Sequence, residues 1–502
     1  MDSPRSPSGD NPVRDPRPSD DSLPGTDTIV AISTPPGRGG IGVVRLSGSD
    51  AVGIALRLFR PLANARPLHS SASSEPEEAR SREARVDIEP NRLIFGRFIA
   101  AGGGTIDHGY LVAFRRPRSF TGEESAELWA HGSPAVLRWM VEAAVVAGAR
   151  PATPGEFTLR AFLNGRIDAT QAEAIRDLIE ARTTFQAKIA HDQIEGRVTN
   201  EVERLKDRLA EIVAGVEASI EFSEEQDASR FLPEGGLLDR MGALKRDVEK
   251  LAGTFDRGRR VREGSRVAII GLPNAGKSSL FNRLLEEDRA IVTPLAGTTR
   301  DLLEEVLDLG GIAATLIDTA GLKEAANAVD AEAVRRAEGQ IETADHFIVV
   351  LDWSRDLRSG ERALLERIDP TRTVVVLNKA DLNCGLGLER VIYFRKSCDA
   401  LAVSARTGEG VSDLRTRLEE MVTGGGATSR EELFITNARH YDRLLRVAEA
   451  LRRAEGGARD RIGEEYLVCD LKQGLDGLGE ITGEVGVEDI YERIFRNFCI
   501  GK

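Results

Sequence analysis

Long hydrophobic runs are missing. No apolar stretch of the 502-residue chain approaches the roughly 18–20 residues that span a bilayer, which argues against a membrane-spanning helix, and no membrane partner is expected. Cysteine is scarce: Cys384, Cys398, Cys469 and Cys499 contain no CxxC pair and indicate no disulfide framework, so reduced thiols and a cytoplasmic location are expected. The histidines lack metal-ligand spacing, and no zinc site is indicated. Positive charge is in deficit, the net charge being −13. A protein that coats nucleic acid through bulk charge carries the opposite sign, so an RNA partner must be met by a local patch. Residues 1–26 have almost no apolar side chains and predict a disordered extension, because they cannot bury enough surface to order themselves. They lack the apolar stretch of a signal peptide, and their aspartates argue against an organellar transit peptide. The chain as a whole is 41% hydrophobic and 30% charged, an ordinary globular balance, and long enough for about three domains.

From 27 to 164, short apolar runs divided by Gly and Pro (TIVAIS, IGVVRL, LIFGRFIA, GYLVAF) predict strands, with helices over 51–59 and 134–147. This is a compact α/β or α+β domain. Residues 165–262 are helical in pattern. Ile194, Val198, Val202, Leu205, Leu209, Ile212 and Val216 alternate steps of four and three, the seam of one long packed helix, and 237–255 repeats the spacing. Helical patterning returns over 424–502, after a different segment at 263–423. The middle segment therefore reads as an insertion into a split helical domain, and the fold class as multidomain α/β plus α.

The insertion opens on a strand, RVAII, that runs into Gly271-Leu-Pro-Asn274-Ala275-Gly276-Lys277-Ser278, the GxxxxGK(S/T) phosphate loop in its strand-to-helix context. Backbone N–H groups from Asn274 to Ser279 close on the phosphates at a helix N-terminus, Lys277 adds a point charge, and Ser278 offers a hydroxyl to Mg²⁺. Asp318-Thr319-Ala320-Gly321 follows an apolar strand and puts a carboxylate near that metal and a glycine amide near the γ-phosphate. Asn378-Lys379-Ala380-Asp381 follows TVVVL. Its last carboxylate accepts both N–H groups of a guanine edge and would repel the lone pair of adenine N1. Ser404-Ala405-Arg406 can offer N–H groups to guanine O6, and Thr299, inside Gly297-Thr298-Thr299, a second hydroxyl to Mg²⁺. The ligand is GTP. Leu322 stands where Ras-like switches carry the water-orienting glutamine, so hydrolysis must find its electrostatics elsewhere.

Four strings outside the nucleotide motifs, DTIVAISTPPGRGGIGVVRLSG, SFTGEESAELWAHGSP, PGEFTLRAFLNGRIDATQAEAIRDLI and the terminal IFRNFCIGK, resemble the tRNA-modifying GTPases of the wobble-uridine pathway, the MnmE (TrmE) family, over about 27–502. The resemblance implies a folate-binding and dimerising N-terminal domain, a helical domain, and a Ras-like domain inserted in it. It implies a homodimer working with a flavoprotein of the MnmG (GidA) family on tRNA. Together they would add an aminomethyl-type (carboxymethylaminomethyl) group to C5 of the wobble uridine. The one-carbon unit would come from 5-formyltetrahydrofolate or a related tetrahydrofolate.

Carried onto this chain, the folate contacts fall on Arg45, Glu127, Arg166 and Lys502, with arginine at 166 where the family has lysine. Without the family, Arg45 and Glu127 would read as a surface ion pair or solvated charges, and Cys499 as a buried thiol. The resemblance gives Cys499 a part in the modification chemistry. It also implies stimulation by K⁺, held by Asn274 and by Thr293, Leu295 and Thr298 of a loop that continues through Pro294 and Ala296 against the nucleotide. The family's water-positioning glutamate aligns with Asp330, one methylene shorter; Glu332 is the alternative. An Era-like GTPase switch in ribosome or RNA assembly is the competing reading, although such proteins usually append an RNA-binding module that is not visible here.

Overall fold

The computed structural model describes residues 27–62, 88–221, 236–289, 304–318, 344–382, 399–425 and 432–484, with Ile494, Phe498 and Gly501. Two compact units result: Met1–Ile167 with Tyr491–Lys502, and Asp168–Ile490.

In the first unit the strands are β1 (Ile29–Ile32), β2 (Gly39–Ser47), β3 (Phe59–Pro61), β4 (Ile94–Ile99), β5 (Thr105–Phe114), β6 (Ser125–Gly132) and β7 (Arg150–Pro151). They form one sheet in the order β3-β4-β5-β6-β2-β1-β7. Helices α1 (Ala51–Arg57) and α2 (Pro134–Val146) cover one face, where Val44, Leu46, Leu111, Leu128, Leu137 and Met140 make the core. Helix α3 (Glu156–Leu163) seats Phe157 against Ile29 and Ala31. The helix expected over 51–59 ends at Arg57, because Phe59 is drawn into β3, where its ring lies 5.3 Å from that of Phe98. Strand β6, absent from the expected strands, is the fourth of seven in the sheet. Its inward residues Ala126, Leu128 and Ala130 are mostly small, so its alternation is weak in the sequence.

The second unit begins with α4 (Ala169–Glu180), α5 (Thr184–Ile194), α6 (Arg197–Glu221), α7 (Leu237–Ala252) and α8 (Phe255–Glu263). The long seam is not one helix. It breaks between α5 and α6, where Gly196 turns the chain at φ +84°. The segment at 263–423 supplies β8 (Ser265–Ile270), α9 (Lys277–Arg289), β9 (Glu304–Leu309), β10 (Ile312–Asp318), β11 (His346–Asp352), α10 (Ser359–Arg367), β12 (Thr373–Asn378), β13 (Asp399–Val403) and α11 (Val411–Thr423). The strands lie in the order β13-β12-β11-β8-β10-β9, and only β9 runs antiparallel to its neighbour. Near-continuous Val, Ile and Leu in β8, β11 and β12 is what a parallel sheet buried on both faces requires. The last helices are α12 (Ala438–Arg459) and α13 (Glu464–Thr482). Val202, Leu205 and Leu209 of α6, Leu244 and Val248 of α7, Leu444 and Leu451 of α12, and Leu471 and Leu478 of α13 share one core. Helices on both sides of the insertion thus complete a single bundle, as the split helical pattern predicts. Among the described residues no helix is long and apolar enough to cross a membrane.

Candidate functional site

Parallel strands deliver their C-terminal ends to one edge of a sheet, and ligands of open α/β folds bind there. Strand β8 leads into the phosphate loop at that edge, and β10 places Asp318 in register with Ile269 of β8. Asp352 ends β11 opposite Asn378 of β12, which pairs in turn with Val403, the residue before Ser404. The phosphate loop, Asp318, Asn378 and Ser404 therefore lie along one edge because the topology ends their strands together.

Side chains then lock the loops to one another. Asn378 Nδ2 donates to the Ala275 carbonyl at 2.9 Å, and Asn378 Oδ1 accepts from the Ala405 N–H at 3.1 Å. One buried amide joins the phosphate loop to the Ser404–Ala405–Arg406 loop. Gly276 has φ +95°, and a Cβ on it would stand 2.1 Å from Asn378 Nδ2, so position 276 admits nothing larger. Asn274 also takes a left-handed backbone, at φ +64°. Lys277 Nζ, buried, donates to the Leu272 carbonyl at 3.1 Å, which folds the ammonium over the loop it serves. The Ser404 hydroxyl donates to Asp381 Oδ1 at 2.7 Å and accepts from the Thr407 N–H at 3.1 Å, holding the Asp381 carboxylate in place. Arg406 is exposed, its guanidinium 3.8 Å from Asp381. Ser278 and Ser279 open α9 and are exposed, whereas Asp318 is fully buried.

Two partners have no sequence motif to announce them. Asp352 accepts from Lys379 Nζ at 2.7 Å and from Ser354 at 2.6 Å. Burial pushes its carboxyl up, but these bonds outweigh burial and hold it below the usual carboxylate range. Arg283 of α9 donates to the Ala405 and Arg406 carbonyls at 3.2 and 2.8 Å. The only hint is an acidic residue closing an apolar strand.

In the first unit Arg45 and Glu127 are cross-strand neighbours on β2 and β6. Arg45 Nε and Nη2 both donate to Glu127 Oε1, at 3.0 and 2.9 Å, and Trp129 Nε1 donates to Oε2 at 3.0 Å. The guanidinium lies 5.7 Å from the Phe120 ring and 5.9 Å from that of Phe157. Arg166 is exposed and packs over Gly122, two residues from Phe120. Near the C-terminus, the Ser33 hydroxyl donates to the Gly501 carbonyl at 3.2 Å, which sets the tail against the end of β1, one strand from Arg45. Beside this cluster Arg160 is buried among Asp27, Glu123 and Glu156, at 2.7, 3.2 and 3.0 Å. Thr293, Pro294, Leu295, Ala296, Gly297, Thr298, Thr299, Thr319, Ala320, Gly321, Asp330, Cys499 and Lys502 lie outside the described residues.

Residues 28–166 match the family described as GTP-binding protein TrmE N-terminus, and residues 170–499 the MnmE helical domain. The chain is similar to proteins named tRNA modification GTPase MnmE. It is 38% identical to that of Natranaerobius thermophilus, over 95% of this chain and 99% of the relative. Identity to the Koribacter versatilis protein is 40% over the same shares. For Aquifex aeolicus it is 38%, over 94% and 99%.

Proposed function

This chain belongs to the MnmE family and is a GTP hydrolase of tRNA modification; on that premise we propose the reaction it serves and the residues that carry it. The product is a carboxymethylaminomethyl-type group on C5 of the tRNA wobble uridine. A homodimer of this chain acts with a flavoprotein of the MnmG family in the cytoplasm. The observation that carries the nucleotide half is the Asn378 bridge, which fixes the phosphate loop and the base-reading loop in one frame.

Within that frame Asp381, steadied by Ser404, accepts the two N–H groups of guanine. Lys277 is placed to exchange the Leu272 carbonyl for phosphate oxygens. Ser278, Asp318 and Thr299 would hold Mg²⁺, and Asn274 with Thr293, Leu295 and Thr298 would hold K⁺. Bound there, the two cations would supply positive charge where negative charge develops on the phosphates. Because the Leu322 side chain carries no amide, Asp330 orients the attacking water, with Glu332 as the alternative.

The folate half rests on Glu127. A pterin presents an amidine-like edge that suits a carboxylate, and the cationic Arg45, Arg166 and Lys502 suit folate's glutamate tail. Glu127 already accepts three N–H bonds of the roughly four that a carboxylate can take. A two-donor pterin edge must therefore displace Arg45 or Trp129 from it. The family resemblance is what assigns Cys499 and Lys502 to the same site.

GTP turnover in potassium against sodium tests the hydrolytic part, in wild type, Asp330→Asn and Glu332→Gln. Faster turnover in potassium and a slow Asp330→Asn are expected. Equal rates in the two salts would remove the cation, and an unimpaired Asp330→Asn would remove Asp330.

A further inference from the structure

By sequence, α4 and α5 belong to the helical segment that precedes the insertion, yet they are fastened to different bodies. Helix α4 is tied to the bundle. Its Glu173, buried, accepts from Arg439 at 2.9 and 3.2 Å and meets His440 at 2.7 Å, both at the start of α12. Helix α5 is tied to the nucleotide sheet. Ile189 is part of the core formed by Val267, Leu309, Ile312 and Leu316, and Phe185 packs against that core. Three residues, Ala181, Arg182 and Thr183, connect the two helices.

The contact at that connection is specific. Strands β9 and β10 are joined by Gly310 and Gly311 alone, at φ +63° and +92°, the two-residue hairpin turn that needs positive φ at both positions. Thr183 Oγ1 donates to the Gly311 carbonyl at 2.7 Å, and a Cβ on Gly311 would come within 2.8 Å of Phe185. The same hydroxyl accepts from the Gln186 N–H at 3.1 Å as the N-cap of α5. Gln186 in turn donates to the Val261 carbonyl at 2.7 Å, and Gln193 to Thr436 at 3.1 Å, so α5 also grips the chain where it leaves the bundle and where it returns. A cavity of about 30 Å³, lined by Asp177, Gln186, Gln193, Arg262 and Thr436 among others, lies beside these contacts.

Strand β10 runs from Ile312, beside that turn, to Asp318 in the nucleotide site, about 20 Å at the usual rise of a strand. We propose that the α4–α5 hairpin couples the nucleotide site to the helical bundle, with Thr183 as a positioning residue that acts on Asp318 through Gly311 and β10. The proposal rests on the nucleotide reading given above. A strand in a packed sheet shifts as a unit, so a change at Asp318 is felt at Gly311, and α5 passes it to α4 and thence to Arg439 and His440. Coupling of this kind is reciprocal, so the bundle also biases the nucleotide site.

The test separates tether from cap. Aspartate at 183 still caps α5 but cannot donate to the Gly311 carbonyl, whereas serine does both. Hydrogen exchange of the full-length protein is compared between GDP and a non-hydrolysable GTP analogue, for wild type, Thr183→Asp, Thr183→Ser and Phe185→Ala. Binding of a fluorescent nucleotide is measured on the same samples. Wild type and Thr183→Ser are expected to differ between the nucleotides in α4, α5 and the first turns of α12, and Thr183→Asp and Phe185→Ala to lose that difference while still binding nucleotide. A wild-type difference retained in Thr183→Asp, or none in wild-type α5, would overturn the coupling. Failure of wild type to bind nucleotide would overturn the underlying reading and the coupling with it.

Discussion

Asn378 holds the Ala275 carbonyl at 2.9 Å, across 103 residues of chain, so the Asn378–Asp381 segment and the phosphate loop share a side chain. Asn378→Ala removes that bond and the one to Ala405, and leaves a buried carbonyl and a buried N–H without partners, each worth about 1–3 kcal/mol. Part of that loss is absorbed by relaxation of the loops. GTP and GDP affinity are both expected to fall by about 10–100-fold, and by similar factors, because the bridge touches loop geometry and not the γ-phosphate. Titration with a fluorescent nucleotide measures it; unchanged affinities would deny the bridge any role in binding.

The Arg45–Glu127 pair yields a sharper test than loss of function alone. Calorimetry with 5-formyltetrahydrofolate is expected to show binding lost in Glu127→Ala and weakened in Arg45→Ala. Trp129→Phe, which frees one side of Glu127 Oε2, is expected to preserve or tighten binding. Wild-type affinity in both alanine variants would remove the folate assignment.

Much of this architecture was legible in the chain, and for a physical reason. The phosphate loop and the guanine-reading motif are short because neighbouring backbone atoms must converge on one ligand, so they survive as strings. The split bundle was legible because a helix seam needs a partner, and Leu205 finds Leu444 and Leu478 beyond the insertion. Gly196 stood in plain view, but Ile194 and Val198 keep the four-residue step across it and hide the break. Arg160 with Asp27, 133 residues apart, and Thr183 with Gly311, 128 apart, leave no local signal at all. Such pairs exist only once the sheet is built.

Glu173 makes stability depend on acid. Burial alone would raise its carboxyl, but His440 and Arg439 outweigh burial and bring it to about 2, against 4.5 for a free glutamate. The folded form is therefore favoured by this group in full above about pH 4.5, and that contribution is lost as the pH falls toward 2. Glu173→Gln leaves Arg439 buried without its carboxylate, a change worth about 3–5 kcal/mol. Unfolding midpoints across that range should show the variant well below wild type near neutrality, and the gap closing as the pH approaches 2. A gap that does not change with pH would mean that Glu173 is not charged in the folded protein.

The central claim is that GTP hydrolysis by this chain serves modification of the tRNA wobble uridine, and nucleoside analysis of bulk tRNA tests it most directly. The tRNA is taken from a strain lacking the protein and from the same strain supplied with wild type, Lys277→Ala or Cys499→Ser. The C5-modified wobble uridine is expected to disappear in the deletion and return with wild type. It should stay absent with both variants, although purified Cys499→Ser still hydrolyses GTP. A full complement of the modified nucleoside in the deletion strain would contradict the account.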